Sequence, residues 1–229
     1  MKAGTTSLHA LLASHADVFM SEPKEPTRFV DGTELRSVSR RAWEAGYWQD
    51  EARYLELFAR AGDARIRGES STAYAKLPQL SGVPERISAA APDARIVYIL
   101  RDPIERTISH YIHAVQWNDE RRPALKAVQR DPHYREVSHY ARQLEPYHRV
   151  FGRDRVRVLT LEALKADPAA VCRDLFTWLG GDPGHELPSN QRRSVRPSDG
   201  RRPMGPHTRQ RLRASRPVSA VKGFLPGSA

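Results

Sequence analysis

The sequence predicts an α/β domain built on a mainly parallel sheet. Three observations lead there. Short apolar runs alternate with helical patterns from residue 5 to about residue 183, the order a parallel sheet needs because its crossovers carry helices. The strongest run, Ala94-Arg-Ile-Val-Tyr-Ile-Leu100, is apolar almost throughout, like a strand buried on both faces. At Asp102-Pro103 and again at Asp167-Pro168, Asp-Pro opens an apolar stripe at helical spacing.

Taken in order, Leu8, Leu11 and Leu12 predict a helix over 8–15, with Thr5, Thr6 and Ser7 as cap candidates. Val18-Phe19-Met20 reads as a short buried strand. Tyr54, Leu55, Leu57 and Phe58 predict a helix over 49–61, and Ile66–Glu69 a weak strand. A helix over 84–91 starts near Pro84 and leads to the strand ending at Leu100. The next helix has Asp102 as N-cap, Pro103 at its first position, and Ile104, Ile108, Tyr111 and Val115 as its stripe. Residues 118–137 are polar and irregular, with a short helix at 123–130. A helix over 138–151 and a strand over 155–159 follow. The last helix begins at Asp167-Pro168, buries Val171, Leu175 and Leu179, and stops at Gly180. Residues 1–183 thus make one domain. Residues 184–229 make a basic, irregular tail with a weak helical stretch at 206–215.

Charge narrows the partners. Lys and Arg total 37 against 27 Asp and Glu, a net charge of +10, and only six of the 37 are Lys. Arginine carries a fixed charge and a planar fork of donors suited to phosphate and sulfate, so an anionic partner is expected. Cys172 is the only cysteine, which excludes an intramolecular disulfide framework and a cysteine-based zinc site. His110 and His113 share a helix without a third ligand, so no metal site is expected. The apolar run Ile96–Leu100 is far too short to cross a membrane. The first residues lack a signal-peptide layout, and a cytoplasmic protein is expected.

Ligands of parallel α/β sheets bind beyond the carboxyl ends of the strands. That rim holds Lys2–Ser7, Glu25, Glu69–Thr72 and Arg101–Ser109. Lys2-Ala3-Gly4-Thr5-Thr6-Ser7 has a glycine for a tight turn, three hydroxyls and a helix start, where backbone N–H groups face an anion and Lys2 adds a full charge. The same residues also suit a capped surface helix. The Walker A order is absent, because the lysine precedes the glycine. Arg101 ends the strongest strand, and Ser109 stands two helical turns above Asp102, so the two can converge on one anion. Equally, Arg101 can pair with Asp102 or Glu105 and leave Ser109 solvated.

Together, Lys2–Leu8, Ser-Glu-Pro-Lys-Glu-Pro at 21–26 and Ile96–Tyr111 resemble the sulfotransferase family, with a pattern closer to bacterial and heparan-sulfate-type members than to the cytosolic hormone-sulfating ones. Tyr140–Leu144 and Val158–Pro168 are similar to later segments of that family, and the likeness covers about residues 1–182. The resemblance implies a P-loop-like three-layer fold. It implies 3′-phosphoadenosine-5′-phosphosulfate (PAPS) as donor and a hydroxyl or amine acceptor on a small molecule, lipid or carbohydrate. Lys2, Ala3, Gly4, Thr5, Thr6 and Ser7 match the loop that grips the 5′-phosphosulfate. Arg101 and Ser109 match the pair that holds the 3′-phosphate. Glu25 matches the general base, with Glu22 as its rival, and Lys2 matches a catalytic cation at the leaving oxygen.

Three departures accompany the resemblance. Family members place a buried strand directly before the loop, whereas this chain begins one residue before Lys2, so the first strand is expected to be missing. Ser70 stands where related members often carry lysine. The tail has no clear match to a cofactor-closing loop, with Arg192, Arg193, Arg201, Arg202 and Lys222-Gly223 as its only candidates. The alternatives are a truncated, inactive remnant of the family, a nucleotide kinase and a basic nucleic-acid-binding protein. Against the kinase stands the missing Gly-Lys-Ser/Thr. Against nucleic-acid binding stands the lack of an aromatic-interleaved basic stripe or a helix-turn-helix pattern.

Overall fold

The apolar runs become four short strands, and these pair two by two in parallel. The computed structural model describes residues 2–118 and 120–187. In chain order its elements are α1 (Thr5–Leu12), β1 (Val18–Met20), α2 (Gly32–Val38), α3 (Arg40–Ala45), α4 (Glu51–Glu56), β2 (Ile66–Gly68), a 3-10 turn (Thr72–Ala75), α5 (Val83–Ala90) and β3 (Ile96–Leu100). Then come α6 (Pro103–Trp117), α7 (Ala124–Arg130), α8 (His133–Glu136), α9 (Tyr140–Phe151), β4 (Val156–Thr160), α10 (Leu161–Ala166) and α11 (Pro168–Leu179). The tail's expected helix at 206–215 and its candidate Arg and Lys residues lie outside the described residues.

Strand β1 pairs with β2, in register Val18 to Ile66, and β3 pairs with β4, in register Ile96 to Val156. The sheet is therefore in two halves. Strands β2 and β3 both line a cavity of about 400 Å³, with Arg67 and Gly68 on one side and Ile96 to Ile99 on the other. The two halves of the sheet thus face one another across this gap.

The layers follow from side-chain alternation. Odd-numbered Val97, Ile99 and Leu159 join Leu8, Leu11 and Leu12 of α1, Leu164 of α10, and Cys172, Leu175 and Phe176 of α11. Even-numbered Ile96 and Val156 face Val83 and Ile87 of α5 and Tyr147 and Phe151 of α9. Helices thus cover both faces, giving three layers. Burial of Leu175 and Phe176 is complete, worth about 1.5–3 kcal/mol for each such side chain.

Two local expectations change. The cap of α1 is Gly4, with no side-chain cap bond, so Thr5, Thr6 and Ser7 form its first turn. Helix α6 buries Arg106, Thr107, His110, Tyr111 and Ala114, while Ile104, Ile108 and Val115 are only partly buried. The reason is a polar contact with the α8–α9 junction: Arg106 Nε donates to Ser138 Oγ at 2.5 Å and Thr107 Oγ1 donates to the Tyr134 carbonyl at 3.1 Å. Hydrogen-bonded polar groups can occupy a buried face that apolar spacing alone would assign elsewhere.

Candidate active site

The carboxyl ends of β1, β2 and β3 lead into three loops that meet at the start of α1. Gly4 adopts φ 87°, a left-handed conformation that glycine takes at no steric cost. An added Cβ would lie 2.5 Å from Leu161 Cδ1. No side chain caps the eight-residue helix, so its first N–H groups face outward as open donors. Lys2 also has positive φ, 63°. Arg101, just past β3, donates from Nη1 to the Lys2 carbonyl at 3.3 Å and from Nη2 to Glu105 at 3.4 Å. Tyr140 Oη in turn donates to the Arg101 carbonyl at 2.7 Å. The loop and Arg101 are therefore together. Ser109 sits on α6, half-buried, and its hydroxyl makes no hydrogen bond among the described residues.

Glu25 reaches the site from the loop after β1. It holds φ 66°, and Thr27 holds φ 60°, values that non-glycine residues seldom adopt. Hydrogen bonds to the loop after β2 fix them: the Glu25 N–H donates to the Ser70 carbonyl at 3.0 Å, and the Thr27 N–H donates to Ser71 Oγ at 3.1 Å. The Glu25 carboxylate accepts from Lys24 Nζ at 3.2 Å and from Thr72 Oγ1 at 2.8 Å. Burial works to raise its pKa. The Lys24 charge, the Thr72 hydroxyl and the more distant Lys76 charge outweigh that and hold it below the ordinary carboxylate range. Glu25 is therefore ionised at neutral pH and able to accept a proton. Glu22 is exposed, and its charge acts on His9 rather than through a hydrogen bond to Glu25.

Lys24 and His9 had no role in the sequence reading, and Glu69–Thr72 had a place on the rim without individual roles. Lys24 Nζ also donates to Thr5 Oγ1 at 3.4 Å, joining the Glu25 loop to the start of α1. Ser70 pairs with His9 Nδ1 at 2.6 Å, and burial followed by the nearby Lys24 charge lowers the His9 pKa. Glu69 lies deeper, accepting from Ser71 Oγ at 2.9 Å and from Tyr74 Oη. Burial, its largest influence, pushes the Glu69 carboxyl up to about 7 despite the two hydroxyls. Glu69-Ser-Ser-Thr72, directly after a strand, is the stretch that the sequence places on the rim. Among the described residues no group of three His, Cys, Asp or Glu could hold a metal ion, and no helix is long and apolar enough to cross a membrane.

A three-layer parallel α/β fold that brings a glycine turn at a helix start, an arginine at a strand end and an ionised carboxylate to one rim has a P-loop-like architecture. A sequence profile of the Sulfotransferase family matches residues 1–182. The chain belongs to the sulfotransferase family. It is 26% identical over 188 residues to mouse heparan sulfate glucosamine 3-O-sulfotransferase 3A1, covering 78% of this chain and 43% of that protein. Against human heparan sulfate glucosamine 3-O-sulfotransferase 3B1 it is 27% identical over 192 residues, covering 78% of this chain and 44% of that protein. The chain thus spans less than half the length of these relatives. A solved sulfotransferase from Alicyclobacillus acidocaldarius superposes with a TM-score of 0.69 and 29% identity, over 96% of this chain and 90% of that one. The sulfotransferase domain from the curacin biosynthetic pathway shares the fold, with a TM-score of 0.53 and 18% identity over 81% of this chain and 75% of that one.

Proposed function

We propose that this chain transfers a sulfuryl group from PAPS to a hydroxyl or amine acceptor. The observation that carries the reading is the ionised Glu25 carboxylate standing one ammonium away from Thr5 of the anion-binding loop. A donor phosphosulfate needs donors at one end and a base beside the acceptor at the other, and the chain supplies both within one rim. The residues present fit an anionic nucleotide, because the first turn of α1 offers uncapped N–H groups and Arg101 extends toward the loop.

The acceptor oxygen or nitrogen attacks sulfur as its proton passes to Glu25. The bond from sulfur to the 5′-phosphate oxygen breaks, and its electron pair stays on that oxygen. The products are a sulfate ester or sulfamate and 3′-phosphoadenosine-5′-phosphate (PAP). Charge grows on the leaving oxygen, where Lys2 and the N–H groups of Ala3 to Ser7 stabilise it. Arg101 and Ser109 hold the 3′-phosphate. Positioning does most of the work, as in phosphoryl transfer. The names of the heparan sulfate relatives make a carbohydrate hydroxyl the leading acceptor class.

Calorimetry with PAP and 5′-AMP tests the donor reading. Wild type should prefer PAP, and Arg101→Ala should weaken PAP by about 2 kcal/mol while leaving 5′-AMP nearly unchanged. Equal losses for the two ligands would remove Arg101 from the 3′-phosphate. No binding of PAP by wild type would reject the donor.

A further inference from the structure

In-line transfer puts sulfur between the leaving oxygen, at the loop, and the acceptor oxygen, at the base. In this chain that interval is already spanned by a side chain. Lys24 Nζ lies 3.4 Å from Thr5 Oγ1 and 3.2 Å from Glu25 Oε1. Its backbone is not free to carry it elsewhere. The preceding Ser21 N–H donates to the Gly68 carbonyl at 2.8 Å, and the following Glu25 N–H donates to the Ser70 carbonyl at 3.0 Å. The side chain is one-fifth exposed, so it is largely screened from bulk water.

We propose that Lys24 is a catalytic residue whose ammonium binds the non-bridging oxygens of the sulfuryl group during transfer. The proposal rests on the PAPS reading above and adds a residue to it. An ammonium has three N–H donors, and here two are directed at Thr5 and Glu25. A third, or either of these once the donor enters, is within reach of sulfuryl oxygens lying between loop and base. A loose transition state spreads negative charge over those oxygens, so a fixed cation there stabilises it without itself exchanging a proton. Lys24 differs in place from Lys2, which lies in the loop at the leaving-oxygen end. It differs in role from a plain ion-pair partner of Glu25, because a plain partner gains nothing from the sulfuryl group.

PAP lacks the sulfuryl group and PAPS carries it, so comparing the two isolates the contact. Calorimetry on wild type, Lys24→Met and Lys24→Gln should show PAP binding within about threefold of wild type and PAPS weakened about tenfold or more, the range for a charge-assisted hydrogen bond. Lys24→Arg, which keeps the charge, should keep most of the wild-type preference. Equal changes for both nucleotides, or no change, would overturn the assignment while leaving the donor reading intact. Failure of wild type to bind PAP would overturn the donor reading and the Lys24 role with it. A second measurement uses the unmutated chain: acetylation of Lys24 by acetic anhydride, read by mass spectrometry, should be slowed more by PAPS than by PAP. Equal protection counts against the proposal even if the neutral variants fail to fold.

Discussion

Glu25 and Glu69 are separated in role by their surroundings. Glu25 keeps two-fifths of its side chain exposed beside Lys24, whereas Glu69 is enclosed with Tyr74 and Ser71. Glu25→Gln should leave PAP affinity in place and cut transfer from PAPS to a panel of sugar hydroxyls by ~10²–10⁴, the usual span for a positioned base. Glu22→Gln should change the rate little, and a dead Glu22 variant would move the base assignment there. For Glu69 the consequence is in stability. Its carboxyl rises from an ordinary 4.5 to about 7 on folding, so between those values the folded chain binds the extra proton. The Glu69 contribution is fully present below about pH 4.5 and is lost as pH rises through about 7. Glu69→Gln should flatten that slope, so that wild type loses stability relative to the variant between pH 5 and pH 8. Urea unfolding at pH 5 and pH 8 measures it, and an unchanged slope would refute it. The sequence offered Glu25 through Lys-Glu-Pro and set Glu69–Thr72 on the same rim, but the contacts that Thr72 and Glu69 make were not legible. They reach Glu25 only because Met20 pairs with Gly68, and no local pattern encodes a pairing so distant along the chain.

Helix starts were the legible elements, because a cap is a local device. Asp102 accepts the Glu105 N–H at 2.8 Å and Asp167 accepts the Ala170 N–H at 2.9 Å, each beside a proline at the first turn. Gly180 ends α11 at φ 83° as expected. Short α2 and α3 went unread although Asp31 and Ser39 cap them by the same chemistry; without an apolar stripe, a cap looks like an ordinary turn. The buried face of α6 could not be inferred from spacing, since Arg106 and Thr107 are held by partners on another element. Asp102→Ala should cost about 1 kcal/mol, and Asp102→Asn much less, because asparagine also caps. Gly4→Ala meets both Leu161 and a positive φ, and should cost about 1–2 kcal/mol while weakening PAP. Thermal melting with and without PAP reads both. A Gly4→Ala chain that melts and binds like wild type would show that the loop does not need that conformation.

The whole molecule is organised around a divided sheet. The alternation of apolar runs announced parallel strands, yet a break within the sheet has no signature in composition. Strands β2 and β3 stand across the cavity from one another, and a strand between them would lead at its carboxyl end into Lys2. About five to ten apolar residues placed before Lys2 should fill the cavity, raise the melting temperature by several degrees and enlarge the shift caused by PAP. An extended chain that melts no higher and shifts no further would show that the two halves are held together adequately by α1, α5, α9 and α11.

The same parallel pairing governs how fast the molecule can assemble. Val18 must find Ile66, and Ile96 must find Val156; no hairpin exists among the described strands to nucleate either half. Each pairing therefore bears the entropy of closing a long loop before any ladder bond rewards it. Refolding from urea, followed by tryptophan fluorescence in a stopped-flow instrument, should fall in the millisecond-to-second range typical of non-local topologies. Microsecond refolding would contradict that ordering. Until both pairs close, the pairing edges of all four strands are bare, so the yield of refolded chain should fall as protein concentration rises.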